Sequence, residues 1–332
     1  MTVPRLAILA GLAILASTLA ANLAPADYVF TNFDGPGSAN GGTTVNGINN
    51  NGDIVGFGGT APQLVNFVRT AGGAFTTLNV NGDPLANANA INNAGEVVGT
   101  SNGAGFTLTN AFRTFTALPS VTATTTSEVA LGINDRGTIV GQYADSATGT
   151  TPGFVYANGS FTALTPVAGA TVTNAQGINN NGLVVGFDST DGVHSHGFTY
   201  NTVSGVYATL PDPSVANLVF TQFLGINDGN QTVGYYQTTD GSQHGFLFDL
   251  RTQRYTYLDH PFAATTGVSI TQIVGITNSG TIAGFYVDAV SGVQRGFSAN
   301  AAVPEPGSFL LLGIGLASGL AIVRRRRAVA GA

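Results

Sequence analysis

A hairpin motif that recurs six times along the chain constrains its fold more than any other feature. The first copy, residues 47–57, reads Gly-Ile-Asn-Asn-Asn-Gly-Asp-Ile-Val-Gly-Phe. A glycine follows the isoleucine by eight residues in every copy and by four residues in five copies. The remaining copy has Asn230 at the second place, and asparagine is among the non-glycine residues that best tolerate a positive φ. The motif therefore predicts a type I turn with a G1 bulge between two short strands. The repeated isoleucines are Ile48, Ile91, Ile133, Ile178, Ile226 and Ile276.

The spacing of the motif predicts a β-propeller. Successive isoleucines are 43, 42, 45, 48 and 50 residues apart, and propeller blades are roughly 40–50 residues long. Each unit divides into four strands with the alternating apolar and polar residues of half-buried strands. The first strand ends at the isoleucine, the second is a Val-Val-Gly run, the third carries a phenylalanine, and the fourth reads aromatic-x-x-Leu. The glycine inside the second strand, Gly56 in the first copy, indicates a bulge or a close backbone approach.

The number of strands predicts how the ring closes. The sequence contains six copies of the first three strands but only five of the fourth, and none follows Phe297. Residues 28–34 have the fourth-strand pattern and precede the first repeat. If this N-terminal strand completed the sheet of the last blade, it would close the ring and remove the exposed edges of an open array. We therefore expect an all-β, six-bladed propeller over residues 27–302, with an open or differently closed β-array as the alternative.

The composition narrows the possible functions. Cysteine and lysine are both absent, so the chain has no disulfides, no thiolate chemistry and no phosphate-binding loop with its lysine. Residues 27–306 contain 6 Arg and all 17 acidic residues. So acidic a body repels phosphate backbones, and we expect no nucleic-acid partner. The sequence also lacks a Gly-x-Ser-x-Gly nucleophile motif.

The densest polar cluster spans residues 188–196, where two aspartates and two histidines occur within nine residues. Such a set could hold a metal ion. A similar loop recurs at Asp240, and Asp145 and Asp288 occupy comparable places in other repeats. Recurrence favours carboxylates that bond their own backbone in turns. We therefore predict turn structure here, with no metal and no cofactor.

Two further polar segments have simple interpretations. Residues 49–53 resemble a calcium loop faintly, but most copies of the motif carry one acid or none, which again favours turn chemistry. His260 precedes Pro261 in an expected loop, and we predict a solvated surface residue.

The repeat resembles the HAF-type extracellular repeats of bacteria over residues 28–299. The resemblance rests on the hairpin motif followed by His-Gly-Phe, which occurs at residues 196–198 and 244–246. The middle residue of the His-Ala-Phe triplet is Gly in five copies and Asn66 in the first. The histidine is replaced in the other four copies, which argues against a shared role for it. The resemblance implies export and surface placement, with no defined catalysis. The replacing residues are Val65, Ala104, Pro152 and Arg295.

The N-terminal 26 residues have the layout of a secretory signal peptide. Arg5 is followed by an apolar run over residues 6–16 and then by small residues. Cleavage after Ala20, Ala24 or Ala26 satisfies the small-residue rule equally well. The alternative is a membrane helix that is retained, although the run is short for a span.

The C-terminal segment has three parts in a fixed order. Pro304-Glu305-Pro306 precedes 17 uncharged residues, 307–323, just enough to span a bilayer. Four arginines follow, which favours a cytoplasmic end. Residues 303–327 thus resemble the PEP-CTERM sorting signal, and residues 328–332 form a short tail. The alternative is an ordinary tail anchor. The residues that carry the sorting signal are Pro304, Glu305, Pro306, Arg324, Arg325, Arg326 and Arg327.

This second resemblance implies recognition by an exosortase in the inner membrane of a Gram-negative bacterium. It also implies transfer of the body to the cell surface or an extracellular polysaccharide matrix. We expect a non-catalytic surface propeller that binds glycan or protein, and we name no catalytic residue. A polysaccharide-active enzyme is the alternative, with a pair drawn from Glu128, Asp188, Asp191 and Asp240 converging at one channel mouth, because glycosidases need two carboxylates roughly 5–10 Å apart. A calcium-stabilised adhesive module is a third hypothesis.

Overall fold

The computed structural model describes residues 28–164 and 168–302. Residues Phe30–Asn300 form one compact unit. Met1–Val29 and Ala301–Ala332 form a second unit, of which only residues 28, 29, 301 and 302 are described. The expected signal peptide and sorting segment, including the helix expected over residues 307–323, lie outside the described residues.

The described residues form an all-β, six-bladed propeller. Within them, 24 strands make six four-stranded sheets, and the strands of each sheet follow one another in the order of the chain, except in the last blade. The first three blades contain β2 (Thr43–Ile48), β3 (Ile54–Gly58), β4 (Val65–Arg69) and β5 (Phe75–Thr77); β6 (Asn87–Ile91), β7 (Val97–Ser101), β8 (Ala104–Thr109) and β9 (Thr114–Ala117); and β10 (Thr125–Ile133), β11 (Ile139–Asp145), β12 (Gly153–Ala157) and β13 (Ser160–Leu164). The next two contain β14 (Val172–Ile178), β15 (Leu183–Ser189), β16 (Ser195–Asn201) and β17 (Tyr207–Thr209); and β18 (Leu218–Ile226), β19 (Gln231–Thr238), β20 (Gln243–Asp249) and β21 (Arg254–Tyr257).

The sixth blade is closed by the N-terminal strand, as the sequence predicts. It contains β22 (Thr271–Ile276), β23 (Ile282–Val287) and β24 (Gln294–Ala301), and β1 (Tyr28–Phe33) pairs with β24 as its outer strand. The ring centroids of Phe30 and Phe297 lie 5.3 Å apart, and Arg295 Nε lies 3.8 Å from Asp34 Oδ1. The two ends of the repeat array therefore share one sheet, which closes the ring of blades. A short 3₁₀ helix, Ser38–Asn40, follows β1.

The hairpin turns have the predicted geometry. Gly52 has a φ of +82°, and Asn230, the asparagine at the equivalent position, has a φ of +61°. Gly52 N–H donates to Asn49 O at 3.0 Å, and Asn49 N–H donates to Asp53 O at 3.0 Å. These bonds close a type I turn with a G1 bulge, which confirms the prediction.

The glycine inside each second strand marks a close backbone approach, and the bulge lies in the first strand instead. A Cβ atom on Gly99 would lie 1.9 Å from Asn87 O and 2.9 Å from the ring of Phe106. A side chain at this position has no room, because the third-strand phenylalanine covers the sheet here. In the first strand, the register shifts between the residues three and one before the isoleucine in all six blades. The residues in these bulges are Asn46, Asn89, Leu131, Gln176, Leu224 and Val274.

The core lies between neighbouring blades. One cluster joins Val55 and Val68 of the first blade to Ala88, Val97 and Phe106 of the second. Burying a Val or Phe side chain contributes roughly 1.5–3 kcal/mol, so stacked blades stabilise one another without disulfides. The third-strand phenylalanines are all fully buried: Phe67, Phe106, Phe154, Phe198, Phe246 and Phe297.

Candidate functional site

Asparagines that follow the repeated isoleucines join the blades around the axis. Asn49 Oδ1 accepts hydrogen bonds from the backbone N–H groups of Asn51 and Asp53, at 3.0 and 2.9 Å. Asn49 Nδ2 donates to the backbone oxygen of Asn92, its counterpart in the second blade, at 3.0 Å. Each such amide therefore shapes its own turn and fastens the next blade. Asn92, Asn134, Asn179 and Asn227 repeat this link at 3.0–3.2 Å, and Thr277 occupies the position in the sixth blade.

The next residue of each motif forms a second ring, which we call the axial ring. Each backbone N–H donates to the side-chain Oδ1 of the following blade, at 2.6–2.9 Å. The ring closes where Asn278 N–H donates to Asn50 Oδ1 at 2.6 Å. All six blades are thus connected by one continuous circuit of hydrogen bonds. The members of the axial ring are Asn50, Asn93, Asp135, Asn180, Asp228 and Asn278.

The two carboxylates of the axial ring lie on either side of Asn180 at one mouth of the channel. Asn180 Nδ2 donates to Asp135 Oδ2 at 2.8 Å and to Asp228 Oδ2 at 3.1 Å. Asn93 Nδ2 also donates to Asp135 Oδ2 at 2.6 Å, and Asn278 Nδ2 to Asp228 Oδ2 at 2.8 Å. Burial opposes ionisation of Asp228, but these amide bonds and the nearby Arg136 hold its pKa below the usual value. The ring lines a polar cavity of about 380 Å³.

The other end of the channel is wider and less polar. A cavity of about 710 Å³ there is lined by the residues of the first-strand bulges, together with Gln222, Tyr235, Gln272 and Phe285. The bulges re-aim these side chains toward the axis. Asn46 and Asn89 each donate a side-chain bond to the next blade, at 2.9 Å to Ala88 O and to Ala130 O.

The four acids that the enzyme hypothesis places at a channel mouth do not line either of these cavities. Asp191 and Asp240 lie in exposed loops, whereas Glu128 and Asp188 are buried in strands. Acids converge on the axis only when they share a motif position, as Asp135 and Asp228 do. Asp135 and Asp228 belong to the hairpin motif, for which the sequence predicted turn chemistry alone. They are the acids that line the channel mouth.

The prediction of turn chemistry is confirmed for the loop acids. Oδ1 of each accepts the backbone N–H two residues later, at 2.9–3.2 Å. These bonds favour the ionised form and lower the pKa of Asp240, for example, through Thr238 and the Ser242 N–H. The four acids are Asp145, Asp191, Asp240 and Asp288.

Asp188 departs from that prediction. It lies in β15 with 5% of its surface exposed and accepts a hydrogen bond from the Tyr207 hydroxyl. Burial raises its pKa, against the lowering effects of Tyr207 and His196. The turn begins only after β15 ends at Ser189, so the prediction of a turn over residues 188–196 starts the turn too early in the chain.

Glu128 is the second buried acid. It stands five residues before the repeated isoleucine, where four other blades have threonine, and only 3% of its surface is exposed. Oε1 accepts the Gly105 N–H at 3.2 Å, and Oε2 has no hydrogen-bond partner in the described part of the chain. Burial raises the pKa of Glu128 to about 7.

The prediction for His260 is wrong. Only 2% of its surface is exposed, its ring stacks on Tyr286 with centroids 3.5 Å apart, and Nε2 lies 2.8 Å from Asn32 Oδ1. Burial lowers its pKa to about 4, despite the opposing charge of Asp288. The sequence neighbours of His260 are loop-forming, but the closing N-terminal strand covers it.

The histidines of the two His-Gly-Phe triplets share one role. His196 Nδ1 lies 2.9 Å from Asp212 Oδ2, and His244 Nδ1 lies 2.7 Å from Asp259 Oδ2. Each acid follows the fourth strand of the same blade, so the pairing is invisible in the local sequence. Arg295, at the same position in the sixth blade, has its Nε 3.8 Å from Asp34 Oδ1, which is beyond hydrogen-bond distance. The sequence argument against a shared role therefore does not hold for these blades.

The described residues contain no candidate metal site and no candidate membrane-spanning helix. No group of three or more His, Asp or Glu side chains within residues 28–164 and 168–302 is arranged to hold a metal ion. In the same part of the chain, no helix has the length and apolar character of a membrane span.

Comparison with known families identifies a motif in the C-terminal segment. Residues 302–327 match the PEP-CTERM protein-sorting motif. The resemblance seen in the sequence over residues 303–327 is thereby confirmed. The PEP-CTERM motif points to export through the membrane to the cell surface, and it implies exosortase-type processing. The HAF-type resemblance of the repeats stays a prediction.

Solved structures with a similar fold are distant in sequence. Virginiamycin B lyase from Staphylococcus aureus has 11% identity and a TM-score of 0.48, over 82% of this chain and 100% of its own. An oligogalacturonate lyase in complex with manganese has 11% identity and a TM-score of 0.45, over 85% and 99%. A mutant of the Aleuria aurantia lectin in complex with alpha-methyl-L-fucoside has 14% identity and a TM-score of 0.45, over 85% and 96%. The search of curated proteins finds no match.

Proposed function

We propose that this PEP-CTERM protein is an exported, non-catalytic propeller that acts at the cell surface or in the extracellular matrix of a Gram-negative bacterium. An exosortase-type enzyme recognises its tail at the inner membrane. The propeller then binds glycan or protein outside the cell. The observation that carries the proposal is the sorting motif at residues 302–327, directly after the last propeller strand.

The strand boundaries support processing at both ends. β1 begins at Tyr28, after all three candidate sites for signal-peptide cleavage, and β24 ends at Ala301, before Pro304. Cleavage at either end therefore removes no strand from the closed sixth blade. A tail removed near Pro304 leaves β24 paired with both β1 and β23.

The arrangement of the acids favours binding over catalysis. The carboxylates of Asp135 and Asp228 each accept two amide hydrogen bonds within the axial ring, which ties them into the structure. The polar ring presents many hydrogen-bonding groups but no free nucleophile. A polysaccharide-active enzyme is the second candidate, because these two carboxylates flank Asn180 at a channel mouth. It would need one of them protonated as a general acid, whereas the pKa of Asp228 is lowered.

The test of the proposal is the intact mass of the protein recovered from membrane and medium fractions of native cells. We expect a mass that begins after residue 20, 24 or 26 and ends near Pro306, without the arginine cluster. A membrane-bound species that retains Arg324–Arg327 would instead show an ordinary tail anchor and overturn the sorting proposal.

A further inference from the structure

One blade places a large aromatic ring in solvent where the fold uses a small residue. In five blades, one residue of the fourth strand pairs directly with the buried third-strand phenylalanine. In four of them this residue is threonine or alanine, and in the fifth it is Tyr257, which is 46% exposed. The sheet therefore does not require an aromatic side chain at this position. The small counterparts are Thr77, Ala117, Ala163 and Thr209.

The Tyr257 ring is held in place by two other tyrosines. It stacks on Tyr255 with centroids 5.9 Å apart and an interplanar angle of 9°, and it meets Tyr236 edge-on at 5.7 Å. Tyr255 is itself anchored, because its hydroxyl donates to Pro211 O at 2.6 Å. A supported ring loses little freedom when a ligand covers it. Tyr257 is thus a rigid, exposed aromatic platform.

Two histidine–aspartate pairs flank this platform. The His244 ring stacks on Tyr236 with centroids 5.1 Å apart. Burial, and after it the charge of Asp259, the partner of His244, raises the pKa of Tyr236 to about 12. Asp212, the partner of His196, likewise acts after burial to raise the pKa of Tyr255. Both acids therefore lie close to the tyrosine cluster.

The histidine–aspartate pairs offer oriented polar atoms. Nδ1 of each histidine is engaged by its aspartate, which fixes the ring, and Nε2 has no hydrogen-bond partner within the described residues. A fixed imidazole with a free Nε2 can accept or donate one hydrogen bond. Both pairs remain partly exposed, with side-chain exposures of 53% and 34% for His196 and Asp212 and of 24% and 42% for His244 and Asp259.

We propose that this surface, Tyr257 with His196, Asp212, His244 and Asp259, binds a pyranose residue of a polysaccharide. The inference rests on the proposed extracellular binding function and names its ligand class and site. A pyranose ring presents a face of C–H groups that packs on an aromatic ring, and its hydroxyls donate and accept at the edge. An apolar partner would instead cover the histidine–aspartate pairs without replacing their hydrogen bonds to water, which is costly. The carboxylates disfavour an anionic sugar, so the ligand is a neutral or amino sugar.

The test is saturation-transfer NMR and calorimetric titration of the purified propeller, residues 27–302, once its cooperative unfolding has been verified, or of the full chain in detergent. The probes are methyl α-D-glucopyranoside, methyl α-D-mannopyranoside, methyl α-D-galactopyranoside and N-acetylglucosamine. At least one should bind. Tyr257→Thr, which installs the residue found at the equivalent place in the fourth blade, should weaken its affinity about tenfold or more, the usual consequence of losing a central aromatic contact.

Two matched variants complete the test. Tyr257→Phe keeps the platform and should keep the affinity within a few-fold, and Thr209→Ala changes the equivalent exposed position of the fourth blade and should have no effect. Equal binding by Tyr257→Thr and the wild type would overturn this site but leave a glycan-binding protein. Binding of none of the four sugars would overturn the pyranose assignment, and neither outcome would touch the mass measurement that tests export and sorting.

Discussion

At the hairpin end of the channel, the six blades carry nearly the same residues at each motif position, whereas at the other end the corresponding positions differ from blade to blade. The first-strand residue five before the isoleucine is threonine in four of the six blades, but its partner in the second strand differs between blades. These pairs are Thr43 with Gly58, Glu128 with Tyr143, Thr173 with Asp188, Thr221 with Tyr236, and Thr271 with Tyr286. A uniform end closes a ring of hydrogen bonds, and a varied end is free to carry buried acids and aromatic surfaces.

The largest loss of stability should come from adding a side chain at the second-strand glycine, which is present in all six blades. A Cβ atom on Gly186 would lie 1.9 Å from Asn174 O and 3.0 Å from the Phe198 ring. Both neighbours are fixed by the sheet, so Gly186→Ala should cost more than about 3 kcal/mol, above the usual range for overpacking. Urea unfolding of the purified propeller measures this cost. Gly72→Ala is the matched control, because its Cβ would meet only Thr70 Oγ1, at 3.9 Å, and a loss similar to that of Gly186→Ala would contradict the close-approach explanation.

The next largest effect should come from breaking one link between blades. Asn134 Oδ1 accepts the N–H groups of Arg136 and Thr138, both at 3.0 Å, and Nδ2 donates to Asn179 O at 3.1 Å. Asn134→Ala leaves buried polar groups unpaired, which costs roughly 1–3 kcal/mol. We expect a loss of about 2–3 kcal/mol in urea unfolding. Asn300→Ala, which removes one exposed side-chain bond from Thr281, is the control for asparagine loss in general. Equal losses in the two variants would mean that the bonds between blades contribute no more to stability than an exposed bond.

At the varied end, Glu128 should make stability depend on pH. Its folded pKa of about 7 lies above the ordinary value of 4.5, so the folded state binds more protons than the unfolded state between these pH values. The contribution of Glu128 to stability therefore falls as the pH rises from about 4.5 to 7, by on the order of 1–3 kcal/mol. Glu128→Gln should remove this fall. Unfolding midpoints measured from pH 4.5 to 8 check it, and Glu96→Gln serves as a control that should retain the wild-type profile.

His260 sharpens the same measurement because it titrates in the opposite sense. Its folded pKa of about 4 lies below the ordinary 6.5, so the unfolded state binds more protons and its contribution to stability rises with pH over this window. In the wild type the two slopes oppose each other. Once Glu128 is replaced by glutamine, stability should rise between about pH 4 and 6.5. A flat profile in Glu128→Gln would contradict the burial of His260, because no titrating side chain remains at position 128 in that variant.

The contrast between the two ends also explains what could be predicted from the sequence. The turns and the strands follow from a periodic pattern, because each is set by residues near in sequence. The closure by residues 28–34 follows from counting strands, because no fourth strand follows Phe297 and the N-terminus supplies one. The placement of Asp135 and Asp228 in one ring could also be predicted, since a propeller brings equal motif positions to the axis. The burial of His260 was not, because its partner Asn32 comes from the other end of the chain. The pairing of His244 with Asp259 likewise requires knowing how the third and fourth strands lie.

The smallest expected effect concerns the one blade that departs from the uniform end. Thr277 stands where the other five blades have the linking asparagine, and its hydroxyl accepts the Thr281 N–H at 3.0 Å. Thr277→Asn should keep that turn bond through Oδ1 and add a link from Nδ2 to Asn49 O, which completes the inner ring. A net hydrogen bond stabilises by about 0.5–1.5 kcal/mol, so the urea midpoint should rise slightly. A loss of more than about 1 kcal/mol would contradict this expectation. It would mean that the distance between the sixth and first blades at the axis accommodates threonine at position 277 but not asparagine.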